Sequence, residues 1–489
     1  LSFVDFCHLS TFVICRLFVF HDYVIVCAVL HLYQSNRLEH LFQLFAHVMR
    51  AQPLASPFAQ EIVVVQSKGM GRWLNFRLAR EQGIAANIQY PLPASFFWDV
   101  LNRMLGTQKP RSVFSPEVLT LRILRWLENA DNLLGAPVLA AYLQDGGDFR
   151  RYSLANRLAD VLDQYLIYRP DWLQAWERGE QPLNAPDALW QARLWRDLVN
   201  DAVDEHRASS LQRMLQMLER GEGVQRLPQR VMLVGISSLP PVYLQLLKLL
   251  GQHIEVAFFA LNPCALPWGD IRDLREQARL GGDSDPTDLY LDVGNPLLAA
   301  WGKQGRDFFD SLADVPQLHD VFDEPEAPHS LLACLQQDVL TLTDRPAGEP
   351  YPVADNDRSL QVHVCHSPMR EVEVLHDQLL ALFNADASLQ PADVVVLTPD
   401  IELYAPFIDA VFAPHPGTPP IPYSIADRSE AASSPLVQAF MSLLGLPESR
   451  FPADFVLGLL DHAEIVSPPE LREDLVEWLE ATIASRGAV

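Results

Sequence analysis

Cysteine is scarce in this sequence, six in 489 residues, and no two stand as the CxxC pair that anchors zinc. That excludes a disulfide framework and leads us to expect a reduced, cytoplasmic setting. Positive charge is also short. Lys and Arg number 37 against 62 Asp and Glu, a formal net charge of −25. This excludes a generally basic surface that coats nucleic acid by counterion release, so any DNA contact has to be local or shared with a partner. Nor does an uninterrupted apolar run reach the ~18–20 residues of a membrane-spanning helix. The apolar opening stretch is broken by Asp5, Arg16 and Asp22, and it lacks the basic region and small-residue cleavage site of a signal peptide. No membrane partner is therefore expected.

The most telling absence is the phosphate loop. A triphosphate needs GxxxxGK[ST], in which backbone N–H groups, a Lys and a hydroxyl-bound Mg²⁺ share the charge. The nearest decoy, Gly294 to Gln304, is too long, carries Pro296 in the turn and has Gln304 in place of the hydroxyl. The turn after 61–66, Gln66-Ser-Lys-Gly-Met-Gly-Arg72, has no Gly-Lys-[Ser/Thr]. The GxSxG and HExxH motifs are missing too. His363, Cys365 and His366 do not share one strand face and have no second cluster, so no metal is expected there.

What is present is the composition of a folded chain, 49% apolar and 20% charged, long enough for roughly three domains at ~150 residues each. Residues 1–28 are expected to be upstream sequence translated with the gene. Val29 would then mark a GTG start, which is written as valine when read internally. Runs 61–66, 230–236 and 254–260 read as strands buried on both faces. Helical patterns follow at 72–80 and 240–251. Later, 360–364 and 393–397 read as strands, each followed by a helix, 369–383 and 401–412. Between the first two units, 113–227 reads as helical, with Leu119, Ile123, Trp126 and Leu127 on one face behind a Ser115-Pro-Glu cap. The expected class is α/β, a parallel sheet with flanking helices and an all-helical insertion. The expected divisions are 29–112, 113–227, 228–345 and 346–489, the last boundary in an acidic, proline-rich stretch.

Two constellations are candidates for chemistry. Asp160 and Asp163, one helical turn apart beside Tyr165, Tyr168 and Arg169, read either as a solvated face or as the start of a carboxylate–metal nuclease site. Lys68, Arg72, Arg77 and Arg80, with Gln66, Gln89, Phe96, Phe97 and Trp98 nearby, read either as a soluble helix face with core aromatics or as a local nucleic-acid surface. In the second reading Gln pairs with adenine, Arg with guanine or phosphate, and rings stack on unpaired bases.

Several stretches are similar to the RecC family, the gamma chain of RecBCD-type exodeoxyribonuclease V. They include Tyr33-Gln-Ser-Asn-Arg-Leu38, Gly83-Ile-Ala-Ala-Asn-Ile88, Pro91-Leu-Pro-Ala-Ser-Phe96 and Asp163-Gln-Tyr-Leu-Ile-Tyr-Arg-Pro-Asp-Trp172. Gly235-Ile-Ser-Ser-Leu-Pro-Pro-Val-Tyr-Leu244, Asp292-Val-Gly-Asn-Pro-Leu-Leu298 and His363-Val-Cys-His-Ser-Pro-Met369 continue in family order.

The resemblance implies degenerate superfamily 1 helicase-like domains without ATPase motifs. It implies a non-catalytic subunit that binds RecB-like and RecD-like motors in a heterotrimer, receives double-stranded DNA ends and reads Chi in the 3′-ended single strand. ATP and Mg²⁺ would be used by those partners, and no cofactor is expected in this chain. By the same resemblance Gln66, Leu92, Trp98, Asp160, Asp163, Gln164, Arg169 and Arg207 line the strand channel or its latch. Lys68 stands where the family's best-known member has Thr, and Arg72 where it has Gln. Both changes move the expectation toward phosphate or guanine contact and away from the usual Chi. The family chain is more than twice as long, so an N-terminal fragment is expected. The rival readings are an autonomous divergent helicase, the carboxylate–metal nuclease, and a protein-only scaffold that no longer reads sequence.

Overall fold

The computed structural model describes residues 30–445 apart from 57, 107–112, 145–146, 186, 203–205, 282–293, 324–328, 346–349, 352, 414–419, 427 and 429–433. The apolar leader 1–28 lies outside the described residues. The chain divides into two compact units, Leu1–Ser359 and Leu360–Val489.

The first unit is organised by six strands: β1 Leu30–Ser35, β2 Glu61–Val65, β3 Ile88–Gln89, β4 Arg230–Val234, β5 Glu255–Leu261 and β6 Gln317–Val321. They form one sheet in the order β3-β2-β4-β5-β1-β6, every pairing parallel. Side chains alternate between the faces of a strand. Leu32, Ile62, Val64, Val231, Leu233, Val256 and Phe258 therefore enter one core, while Tyr33, Val63, Val65, Met232, Val234, Ala257 and Phe259 enter the other. Both faces are buried, which is why the strands read as continuous apolar runs and not as alternation.

Helices Leu38–Ala51 and Lys68–Gln82 cover one face. Helices Pro93–Leu105, Arg207–Glu219 and Pro241–Leu250 cover the other. Helices therefore flank the sheet on both sides, with β4 inserted between β2 and β5. Between β3 and β4 run the helices Pro116–Glu128, Gly147–Tyr168, Pro170–Glu177 and Ala188–Asn200. They enclose a separate core around Trp126, Trp176 and Trp195. The Leu119, Ile123, Trp126 and Leu127 face is buried in that core.

The second unit departs from the sequence reading. Residues 361–365 and 394–398 form no strand. Val362 and Val364 are exposed, as are Val395, Val396 and Leu397. Among the described residues neither run has the neighbouring ladder that turns β-branched sequence into sheet. The helices after them, Pro368–Ala385 and Ile401–Phe412, do form. Each opens on a side-chain cap, Ser367 accepting from the Arg370 N–H and Asp400 from the Leu403 N–H.

No helix among the described residues is long and apolar enough to cross a membrane.

Candidate functional site

Because the strands are parallel, their C-terminal ends meet at one edge, where open α/β sheets gather ligands. The helix following β2 leaves toward one face and the helix following β4 toward the other, so the edge opens between these neighbours. Gln66, just past β2, closes that gap. Its Oε1 accepts from the Ser237 backbone N–H at 3.3 Å and from the Ser237 hydroxyl at 3.1 Å. Gly235 allows the close crossing: its φ is +67°, and a Cβ there would sit 2.9 Å from Met70 Cε. Ser67 starts the next helix by accepting from the Met70 N–H. Leu92 reaches the same edge, because Pro91 O accepts from the Val65 N–H at 3.1 Å. Leu92 is part-exposed and sits at the N-cap of its helix.

The helical insertion meets this edge through Tyr243, in the first turn of helix Pro241–Leu250. Its ring stacks on Phe97 with centroids 4.4 Å apart. Burial pushes the Tyr243 hydroxyl above its ordinary pKa. Arg207 opposes that shift electrostatically, while Asp163 and Tyr168 reinforce it. Asp163 and Arg207 are ion-paired at 3.2 Å, both part-buried. Trp98, one position beyond Phe97, is half-buried against the same core.

Arg207 is held by what precedes it. His206, buried between Phe114 and Trp195, caps the helix by accepting the Ser209 N–H at Nδ1, 3.2 Å away. That leaves Nε2 to face Glu177 Oε1 at 2.8 Å, and Glu177 also accepts the Trp195 indole N–H at 2.9 Å. Burial raises the Glu177 pKa, but the hydrogen bonds from His206 and Trp195 outweigh it and hold the carboxyl below its ordinary range.

The structure therefore places Gln66 and Leu92 at one edge and the Asp163–Arg207 pair beside it near Tyr243, while Trp98 packs, half-buried, against the core. Lys68, Arg72, Asp160, Gln164 and Arg169 are exposed. Arg169 lies over the Trp172 ring, 5.2 Å from its centroid. Arg77 does not belong with the other cations: its guanidinium sits over Trp73 and Phe42, 5.4 Å and 5.6 Å from the centroids. Ser237, Tyr243 and the His206–Glu177 pair escaped sequence reasoning. The position of Tyr243 in the first turn after β4 was the available signal.

Asp163 is occupied by Arg207, and among the described residues no three His, Cys, Asp or Glu side chains gather as a metal requires. Lys303, the lysine of the phosphate-loop decoy, is paired with Asp273 and lies 3.8 Å from Glu276. Its charge is already balanced by the chain's own acids.

A doubly wound parallel sheet interrupted by a helical insertion defines an α/β protein, and its sequence carries no GxxxxGK[ST] motif. Residues 30–342 match the family described as RecC, N-terminal domain. The chain is 39% identical over 501 residues to the RecBCD enzyme subunit RecC of Escherichia coli K12, covering 94% of this chain and 45% of that protein. The corresponding Haemophilus influenzae subunit is 37% identical over 490 residues, with 88% and 43% covered. That of Mycolicibacterium smegmatis is 30% identical over 463 residues, with 89% and 40% covered. The chain belongs to the RecC family and spans less than half the length of these relatives.

Proposed function

We propose that this chain is the strand-reading, non-catalytic part of a RecBCD-type exodeoxyribonuclease V, acting in double-strand-break repair and recombination beside RecB-like and RecD-like motors that supply ATP turnover. The two units are read as helicase-like domains whose nucleotide chemistry has been lost. A 3′-ended strand would pass the edge formed by Gln66, Leu92 and Trp98 and the latch formed by Asp163 and Arg207. Lys68, Arg72, Asp160, Gln164 and Arg169 would meet it from exposed positions. Reading of a Chi-like sequence would rest on these side chains, with Lys68 and Arg72 favouring phosphate or guanine.

The observation that supports this most is the meeting of three separate elements at one edge. The Gln66–Ser237 clasp closes a gap where a nucleotide fold would admit phosphate, and the Asp163–Arg207 pair stands against Tyr243 and Phe97. Tyr243 and Phe97 are themselves buried, so the part-exposed ion pair, and not the rings, is what would meet the strand's phosphate. An outer surface that is acidic is compatible, since a narrow path can be cationic locally.

The test is sequence-dependent pausing by the complex reconstituted with this chain. Trp98→Ala and Arg169→Ala should each weaken pausing at the recognised sequence while leaving unwinding of other DNA unchanged. Pausing unaffected by both substitutions would refute the site.

A further inference from the structure

Helix Lys68–Gln82 carries a stripe that continues beyond Lys68 and Arg72 to two residues given no role above. Lys68, Arg72, Phe76 and Arg80 recur every four residues and all four are exposed, Phe76 by 67%. None of the three cations makes a hydrogen bond or ion pair among the described residues. The helix has no acid in its first turn. Its only acid, Glu81, is turned to the neighbouring helix, accepting from Gln43 at 3.3 Å and lying 3.7 Å from Arg50. Arg77, which breaks the spacing, is folded onto Trp73 and Phe42. Uncompensated cations in a chain of net charge −25 mark a surface that expects an anion.

Four residues of helix rise about 6 Å and turn the side chain by about 40°. The stripe is therefore a shallow spiral of positive charge with one aromatic ring set into it. Its spacing suits the successive phosphates of an extended single strand, and an exposed ring among phosphate contacts is the arrangement on which a base stacks. The stripe also begins two residues from Gln66, so it is continuous with the edge proposed above.

We infer that this helix face is a phosphate track, along which a single strand leaving or approaching the Gln66 edge lies with its backbone on Lys68, Arg72 and Arg80 and one base stacked on Phe76. This rests on the strand-reading function and extends it by assigning Phe76 and Arg80. Phe76 and Arg80 add stacking and charge, not sequence reading, to the contacts of Lys68 and Arg72.

The experiment is equilibrium binding of oligothymidylates of about 6 and about 16 nucleotides to the full chain over a salt series. On a single strand each phosphate contact contributes about 0.7 to the slope of log affinity against log salt, about fivefold between 1 M and 0.1 M. Arg80→Gln should lower the slope for the longer oligonucleotide by about 0.7. Phe76→Ala should weaken binding about fivefold or more without changing the slope. The shorter oligonucleotide, which can be held at the edge alone, should respond less to both. Arg220→Gln, at an exposed arginine far along the chain, should alter neither. If wild-type chain binds strand and both stripe variants match it in affinity and slope, the track is refuted while strand reading at the edge stands. If those variants instead lose binding to polyglutamate with DNA binding unchanged, the stripe is a protein-docking surface and the track is equally refuted. Absence of strand binding by the wild type would remove the underlying reading itself.

Discussion

Two regions of this chain carry nearly the same sequence signal and reach opposite ends. Glu61–Val65 and the run 394–397 are both short strings of β-branched and aliphatic residues. In the first, Val63, Val64 and Val65 are fully buried, with β3 on one side and β4 on the other. In the second, Val395 is 77% and Leu397 88% exposed, and no strand forms. Run 360–364 behaves as the second does, with Val364 exposed by 95%. Strand propensity is a fitness for a pleated, covered surface and not a conformation in itself. Where β4 arrives from the far side of the helical insertion, the run becomes a central strand; without such a neighbour among the described residues, it forms no strand.

Replacing Phe258 by Ala should break the comparison hardest. Phe258 is fully buried and packs on Phe308, so Phe258→Ala should cost about 3–5 kcal/mol in urea unfolding. Val364→Ala should stay within about 0.5 kcal/mol. An equal loss at the two positions would show that the second unit buries Val364 after all. The next largest effect belongs to the sheet's opposite edge, where Arg230, nearly buried, is paired with Glu61 and donates to Gln52 O at 2.8 Å. Glu61→Gln should cost about 3 kcal/mol by removing the buried guanidinium's paired carboxylate and leaving it only Glu255, measured by the same unfolding.

Glu177 sharpens the comparison through pH. Its folded pKa is depressed, so the stability it contributes is complete above the unfolded glutamate value and is lost as pH falls through the folded one. In Glu177→Gln the acid-side slope of stability against pH should flatten. An unchanged slope would mean that the His206–Glu177 contact carries no linkage. A small effect on stability should come from Arg207→Ala, whose ion pair is part-exposed and worth about 1 kcal/mol or less. Its effect on strand affinity should be several times larger. A substitution that shifted stability alone would mark the Asp163–Arg207 pair as structural.

The sheet was legible wherever burial on both faces wrote a continuous apolar run, as in β2, β4 and β5. β1 was hidden because Leu30-His-Leu-Tyr-Gln-Ser35 continues directly from the apolar leader. β3 spans two residues, too few for a pattern. Runs 360–364 and 393–397 misled, since a sequence shows the run but not the neighbour. For the site, Gln66 stood out because it follows a strand at the start of a turn, whereas Leu92 entered only through the family resemblance. The Asp163–Arg207 contact joins residues from helices on either side of two others, and its burial against Tyr243 is a product of packing. Arg77 could have been set apart by helical phase alone, since it falls three and four residues after Leu74 and Trp73, on the side that packs.

The central claim is that this sheet handles a strand without holding a triphosphate. Its most direct test is the anisotropy of a labelled single strand titrated with the purified chain, with and without ATP and Mg²⁺, while released phosphate is followed in the same cuvette. We predict strand binding that Arg207→Ala weakens and nucleotide leaves unchanged, with no phosphate released. Strand binding that depends on nucleotide, or phosphate release that co-purifies with the chain and responds to Gln66→Ala, would contradict the account.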